Sequence, residues 1–357
     1  MSEQAPADGT PKHGWSTGFN LVMLVVGCAA LTWLLRTTSW TEVHDVISGV
    51  GLWVVVIISI DLTSMCCDAA ALHSFMRPEA RMVSYARVLA AQLSGRAINV
   101  LTPLGALGEA TKLTMLEGHA PRTRILSSIV LLNVATLYLN VAIMLIGIPI
   151  TLLLVDLPHS VKLVVEIGTA VLVPGVIALG VVIHRGAVSS AVALLRAGRL
   201  ISAERATTWK EKLTDVDKHI RDLHQARSPG TRIGLMFVVA SKVLADTSTI
   251  LIMVALGIEL SPHLVIGVLS VGVLVTWAAS AVPLGIGLAD GGNYALYSVL
   301  GATGEHGMYF TMLGRVRTVV IAVLGLATIA VLNAVGRYVH WRTHQKIERM
   351  KATRDPG

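Results

Sequence analysis

Residues 88–116 read VLAAQLSGRAINVLTPLGALGEATKLTML, an apolar run broken at Thr102-Pro103-Leu104-Gly105 and carrying Arg96, Glu109 and Lys112. A bilayer core asks for about 20 apolar residues per helix. Here the length is sufficient, but Pro103 and Gly105 cut it in the middle. Such a break frees backbone groups that lipid cannot satisfy, so it is tolerated only against protein or a water-filled cavity. A second stretch, 283–304, opens in the same way with Pro283-Leu284-Gly285-Ile286-Gly287 and continues Leu288-Ala289-Asp290. Both place Pro-Leu-Gly at the break, another glycine soon after, and an acid six or seven residues past the proline. Paired broken helices in two parts of a chain point to a midplane binding site in a transporter. The bland alternative is a pair of loops at the membrane surface.

The rest of the sequence supplies the membrane context. Hydrophobic residues make up 54% of the 357 and charged residues 14%, against about 25% charged in a soluble domain. Mean hydropathy is +0.68. Uninterrupted apolar stretches occur at 18–36, 47–70, 126–155, 163–183, 233–258, 264–282 and 318–336. These predict an all-α, polytopic membrane helix bundle of about eight spans. The two Pro/Gly-broken segments enter it as re-entrant elements in an inverted-repeat arrangement. Residues 1–16 form a polar N-terminus, 17–336 a single membrane domain and 337–357 a basic tail. No cleaved signal peptide is expected, since the polar start has no basic n-region before a cleavage site.

Charge sets the expected orientation, because Lys and Arg collect on the cytoplasmic side. The net charge is +7. Residues 185–232 hold ten Lys/Arg against five acids, and the tail after 336 holds six against two. Both are assigned to the cytoplasm, as are the 73–87 and 118–124 loops. The loops at 37–46, 156–162 and Glu259 are assigned outside. Both termini are therefore cytoplasmic. Parity then requires 88–116 to enter and leave on one side, and 283–304 to cross as a loop plus a half-helix. Arg315 and Arg317 would sit near the outer end of the last span. Within 185–230, Trp209, Leu213, Val216, Ile220 and Leu223 recur at helical spacing. That pattern predicts an amphipathic connector lying at the interface. Five acids and the lack of an aromatic platform argue against nucleic acid.

Charged residues inside a membrane cost at least about 2.5–3.5 kcal/mol at a helix centre, so they face a partner or a cavity. Glu109 and Lys112 are three apart and can pair on one helical face, as a binding element or as a purely structural pair. Arg96 and Asn99 are also three apart, just before Pro103. Asp61 and Asp68 share a face, as a proton relay or as satisfied interior carboxylates. Lys242 and Asp246 are spaced to pair. Glu166 stands alone. Helix N-termini after the glycines offer free N–H groups to an anion. A lipid phosphate suits this chemistry, with Arg96, Lys112 and Arg315 as counter-charges. Glu109 and Asp290 would contact a polar or cationic part of the headgroup or fix the basic residues. The candidate binding set, expected to form one midplane site between the two broken segments, is Arg96, Asn99, Pro103, Gly105, Gly108, Glu109, Lys112, Pro283, Gly285, Gly287, Asp290 and Arg315.

At these residues the chain resembles a known family. Arg96-Ala-Ile-Asn99-Val-Leu-Thr-Pro103-Leu-Gly105-Ala-Leu-Gly108-Glu109-Ala110 is similar to the first motif of the flippase-like family typified by the lysylphosphatidylglycerol synthase transmembrane region. Pro283-Leu-Gly285-Ile-Gly287-Leu-Ala-Asp290 is similar to the second, where the family usually has Glu at the last position. Arg315 followed by Gly325 resembles the arginine and glycine of its last span. The likeness covers about residues 17–336 and is specific at the two broken segments. It implies a bacterial inner-membrane protein that translocates or presents a phospholipid or related lipid with an anionic headgroup. The alternative it leaves is a membrane-embedded lipid-modifying enzyme, or an accessory subunit of a lipid, hopanoid or polysaccharide pathway. An enzyme partner or a homo-oligomer is compatible with either.

Several chemistries are not supported. Gly285-Ile-Gly287-Leu-Ala-Asp290 lacks the third glycine and the strand–helix unit of a dinucleotide loop. The twelve histidines show no metal-binding spacing. No Gly-x-Ser-x-Gly elbow occurs. Cys28, Cys66 and Cys67 lie in apolar stretches and are expected to act as buried small hydrophobes, not as a disulfide framework. The expectation is therefore no catalytic residue, no metal and no cofactor. With only residues 337–357 after the last span, lysine transfer by a joined domain is not expected.

Overall fold

The computed structural model describes residues 47–77, 83–102, 107–155, 229–280 and 285–354, with backbone alone after 334 and scattered positions elsewhere. The expected connector at 185–230 and most of the spans at 18–36 and 163–183 lie outside the described residues. So do Pro103, Gly105 and Pro283.

Among the described residues the protein is built of α-helices: α1 (Trp53–Phe75), α2 (Tyr85–Leu101), α3 (Leu107–Leu116), α4 (Arg122–Leu154), α5 (Pro229–Ala255), α6 (Pro262–Ser280), α7 (Leu288–Val299) and α8 (Gly304–Arg354). Helices α1, α4, α5, α6 and the Gly304–Ala334 part of α8 are long and apolar enough to cross a membrane. Their outward faces carry large apolar side chains, such as Leu153 at 86% exposed and Met236 at 72%. An aqueous surface would not accumulate them, whereas lipid solvates them without penalty. The protein is a polytopic helical membrane protein.

The order of elements repeats. A long helix (α1, 23 residues; α5, 27) is followed by a shorter one (α2, 17; α6, 19), a half-length helix (α3, 10; α7, 12) and a very long one (α4, 33; α8, 51). At 1.5 Å per residue α3 spans about 15 Å and α7 about 18 Å, well short of a bilayer core of about 30 Å. Each half-length helix folds back antiparallel on the helix before it. In the first half Gly95 lies against Lys112 and Gly108. In the second, Val275 lies against Gly292 and Leu300 against Gly267.

The halves interlock through matching contacts. Helix α1 packs along α5, α2 along α8, and α6 along α4. At each of the last two contacts a glycine of the very long helix meets a serine-bearing stretch of the shorter one. Gly325 receives Ala97 and the Leu93 carbonyl, with the Ser94 hydroxyl directed at the Gly325 carbonyl; Gly147 receives Ser270. A β-carbon at either glycine would collide with its partner helix. Small residues let helix backbones approach closely where lipid offers no hydrophobic drive for association. Between α1 and α5, the Ser64 hydroxyl donates to the Ser241 carbonyl at 3.0 Å, and Gly234 makes room for the Phe75 ring.

Two expectations need correction. The last span does not begin at 318: its helix starts at Gly304. His306, Arg315 and Arg317 make 304–317 look like a loop, but both arginines are neutralised by acids on other helices. Arg315 and Arg317 therefore lie eleven and thirteen residues into α8, about 17–20 Å from its start, not near its end. The cysteines are also less buried than expected. Cys28 is exposed and Cys66 and Cys67 are half-buried, because the outer surface of this protein is itself apolar. The expected Lys242–Asp246 pair forms within α5 at 2.7 Å.

Candidate functional site

The first broken segment is shaped by its own backbone rules. Thr102 precedes Pro103, and steric clash with a proline ring keeps the preceding residue extended. Thr102 is extended, at φ −114° and ψ 143°, and it ends α2. Its hydroxyl and its N–H both donate to the Ile98 carbonyl, at 2.7 and 3.0 Å. When the chain resumes as α3, the first amides of that helix lack intrahelical acceptors.

Asn99 supplies one. Its Oδ1 accepts from the Gly108 N–H at 2.7 Å, so a side chain of α2 caps the start of α3. Its Nδ2 donates to Glu109 Oε1 at 3.1 Å. Lys112 Nζ donates to the same oxygen at 3.0 Å, and Lys112 is only 4% exposed. The expected Glu109–Lys112 pair is thus present and extended by Asn99. Glu109 Oε2 is buried with no partner. Gly95 and Gly108 permit the assembly. A β-carbon at Gly108 would overlap the Gly95 carbonyl and the Asn99 side chain, and one at Gly95 would strike the Lys112 stem. Arg96, also on α2, is exposed.

The second broken segment reaches a similar end by different means. Gly285 and Gly287 have φ of +65° and +82°, which L side chains rarely adopt. They turn the chain into α7. Asp290, third in that helix, accepts from the Gly287 N–H at 3.0 Å. It also accepts from the Arg315 guanidinium at 2.5 Å. A carboxylate at this position favours the positive end of the helix dipole, and Arg315 balances its charge. One turn on, Asn293 Nδ2 donates to the Thr311 hydroxyl at 2.9 Å. Gly304 and Gly307 let α8 approach Tyr294 and the Asn293 backbone.

The expected residues thus divide into two clusters. Asn99, Gly108, Glu109 and Lys112 meet at the start of α3, and Gly285, Gly287, Asp290 and Arg315 at the start of α7. Among the described residues no hydrogen bond or ion pair joins them directly. Helix α8 runs past both, holding Asp290 through Arg315 and packing on α2 at Gly325. Sequence reasoning missed the pair between Asp61 on α1 and Arg317 on α8. It is bidentate, with Nε to Oδ2 at 2.5 Å and a terminal nitrogen to Oδ1 at 2.7 Å. The available signal was that an intramembrane acid and an intramembrane arginine each need a partner, but 256 residues separate them. Among the described residues no group of His, Cys, Asp and Glu is arranged to hold a metal ion.

Two short helices in corresponding places, each with a third-position acid held by a basic side chain, mark a helical membrane protein of two like halves. A family model for the lysylphosphatidylglycerol synthase TM region matches residues 20–325, and the chain belongs to that family. The matched range takes in both clusters and α8 as far as Gly325. Comparison with curated proteins gives no match, and comparison with solved structures gives none either.

Proposed function

We propose that this chain is a flippase-like lipid transporter that binds the phosphate of an anionic membrane lipid at the starts of α3 and α7 and translocates or presents it. The observation that supports this reading is the arrangement repeated in both halves: a half-length helix, a glycine break, an acid at the third position and a basic side chain on that acid. Glu109 and Asp290 then act chiefly to fix Lys112 and Arg315. Neither base is exhausted by its acid. Lys112 has three donors and Arg315 five, and each spends one on its carboxylate. Arg96, exposed on the same hairpin, supplies a further counter-charge. Any energy would come from a gradient or from the lipid imbalance itself. The proposed setting is a bacterial inner membrane with both termini cytoplasmic.

The family description names a synthase, which favours a second reading. In it the chain is the membrane part of a lipid-modifying system, or carries out such a modification. Native mass spectrometry of gently purified protein addresses both. The transport reading predicts bound anionic phospholipid in the wild type and a loss of about tenfold in occupancy in Arg96→Ala/Arg315→Ala, as expected for about 1.4 kcal/mol or more of lost interaction. Equal retention by the two proteins overturns the assigned site. A new lipid species formed by the purified chain supports the second reading.

A further inference from the structure

The α2–α3 hairpin holds a charged acceptor that its own residues leave unused. Glu109 Oε1 takes two donors, Asn99 Nδ2 at 3.1 Å and Lys112 Nζ at 3.0 Å. Glu109 Oε2 is buried and, among the described residues, takes none. Every other buried side-chain atom in that condition belongs to a neutral group, such as Gln92, Ser128 or Tyr297. An unpaired atom costs more on a charged group than on a neutral one. The neighbouring hydroxyls are turned to backbone: Thr102 donates to the Ile98 carbonyl at 2.7 Å and Thr111 to the Leu107 carbonyl at 3.0 Å. The Gly108 N–H is spent on Asn99. The Lys112 stem lies against Gly95, which fixes the ammonium beside Oε1. The α7 cluster makes no such demand. Asp290 also loads one oxygen with two donors, but neither of its oxygens is both buried and unpartnered.

A donor carried by a ligand satisfies Oε2. Lys112 touches the same carboxylate and keeps two N–H donors, which the proposed function gives to the lipid phosphate. Many phosphodiester headgroups bear a hydroxyl or an ammonium two carbons from the ester oxygen. In such a lipid the donor sits next to the phosphate, as Glu109 sits next to Lys112.

We propose that Glu109 Oε2 selects the headgroup: it accepts a hydrogen bond from a headgroup hydroxyl or ammonium while Lys112 holds the phosphate of the same lipid. The substrate class is a phosphodiester lipid with a donor-bearing headgroup. A lipid with a plain alkyl headgroup is disfavoured, because it leaves the buried oxygen unpaired; a site built to take a hydrogen bond rejects the analogue that lacks the donor. Glu109 thus serves twice, with Oε1 fixing Lys112 and Oε2 reading the headgroup, whereas the α7 cluster reads phosphate alone. The inference rests on the transport reading and deepens it, since it names the headgroup chemistry.

The experiment is competition between lipids for the purified full-length protein, read by native mass spectrometry. The probes are phosphatidylglycerol, phosphatidylethanolamine and phosphatidylethanol with identical acyl chains. Phosphatidylglycerol and phosphatidylethanol carry the same charge, but only the first has a headgroup donor. In the wild type a donor-bearing lipid should outcompete phosphatidylethanol by about tenfold or more. Whichever of phosphatidylglycerol and phosphatidylethanolamine does so more strongly identifies the donor as hydroxyl or ammonium. Glu109→Gln keeps an oxygen for Asn99 and Lys112 and turns an NH2 group to the place of Oε2, so its preference should vanish. If Glu109→Gln fails to fold, Glu109→Asp withdraws the carboxylate by one methylene and should lose the preference likewise. Equal binding of all three lipids by the wild type overturns the inference and leaves the transport reading standing. An unchanged preference in the variant also overturns it, and places the selection elsewhere. Binding of none of the three by the wild type overturns the transport reading and the inference together.

Discussion

Asp61, buried, and Arg317, half-buried, form a bidentate pair that ties α1 to α8 across most of the chain. Breaking such a pair on one side leaves a charge without a partner, at up to about 3–5 kcal/mol when both groups are fully buried and less where one is partly exposed. Asp61→Asn and Arg317→Met should each lower the thermal unfolding midpoint in detergent by several degrees. The double variant should lose clearly less than the sum of the two. A strictly additive double-mutant cycle would show that the pair contributes no coupling. Asn99 tests a different principle. It satisfies the Gly108 N–H and the Glu109 carboxylate at once, so Asn99→Ala removes a helix cap and a hydrogen bond to a half-buried acid. A cap alone contributes about 1 kcal/mol, and a hydrogen bond to a charged group about 1.5–3 kcal/mol. Asn99→Ala should therefore destabilise more than Thr63→Ala, whose hydroxyl returns only to its own helix at the Ser59 carbonyl on an exposed face. Equal melting shifts for the two would refute the capping role.

At the scale of the helix, glycines of identical type should behave oppositely. Gly291 lies inside α7 with open space around it, whereas a β-carbon on its neighbour Gly292 would press into Val275 of α6. Gly291→Ala should stabilise by about 0.5–1 kcal/mol. Gly292→Ala should destabilise by about 1–3 kcal/mol. Melting curves showing the same sign for both would contradict the α6–α7 hairpin. Much of this level was legible in the sequence. Pro-Leu-Gly inside an apolar run marked both breaks, and the spacing of Glu109 and Lys112 predicted their pair. The start of α8 was not legible, because Arg315 and Arg317 read as loop charges until their acids on α7 and α1 are known. Nor was Asn99 legible as a cap. A residue that caps the next helix from across a break carries no local signal, and spacing alone drew it to Arg96. The spans themselves follow from lipid being the solvent, which imposes an apolar run of a given length.

For the whole molecule, the repeated order of helices places the two clusters in corresponding halves, with α8 in contact with both hairpins. The repeat was expected from the paired motifs. The interlocking of α2 with α8 and of α4 with α6 was not, since contacts at Gly325 and Gly147 depend on which helices neighbour each other. The charge distribution predicts the orientation: single cysteines placed at 185–232 should resist a membrane-impermeant reagent in sealed cells and react after lysis. Labelling in sealed cells would reverse the assigned topology. The central claim is that the two half-helix sites move a phosphate-bearing lipid, and a sided translocation assay in proteoliposomes tests it most directly. A fluorescent anionic phospholipid should exchange between leaflets faster with wild-type protein than in empty vesicles. With Arg96→Ala/Glu109→Gln, reconstituted to the same density and shown to be monodisperse, the protein-dependent rate should fall by about tenfold or more, as loss of about 1.4 kcal/mol implies. Equal rates for wild type and variant, or a wild-type rate no faster than that of empty vesicles, would contradict the account.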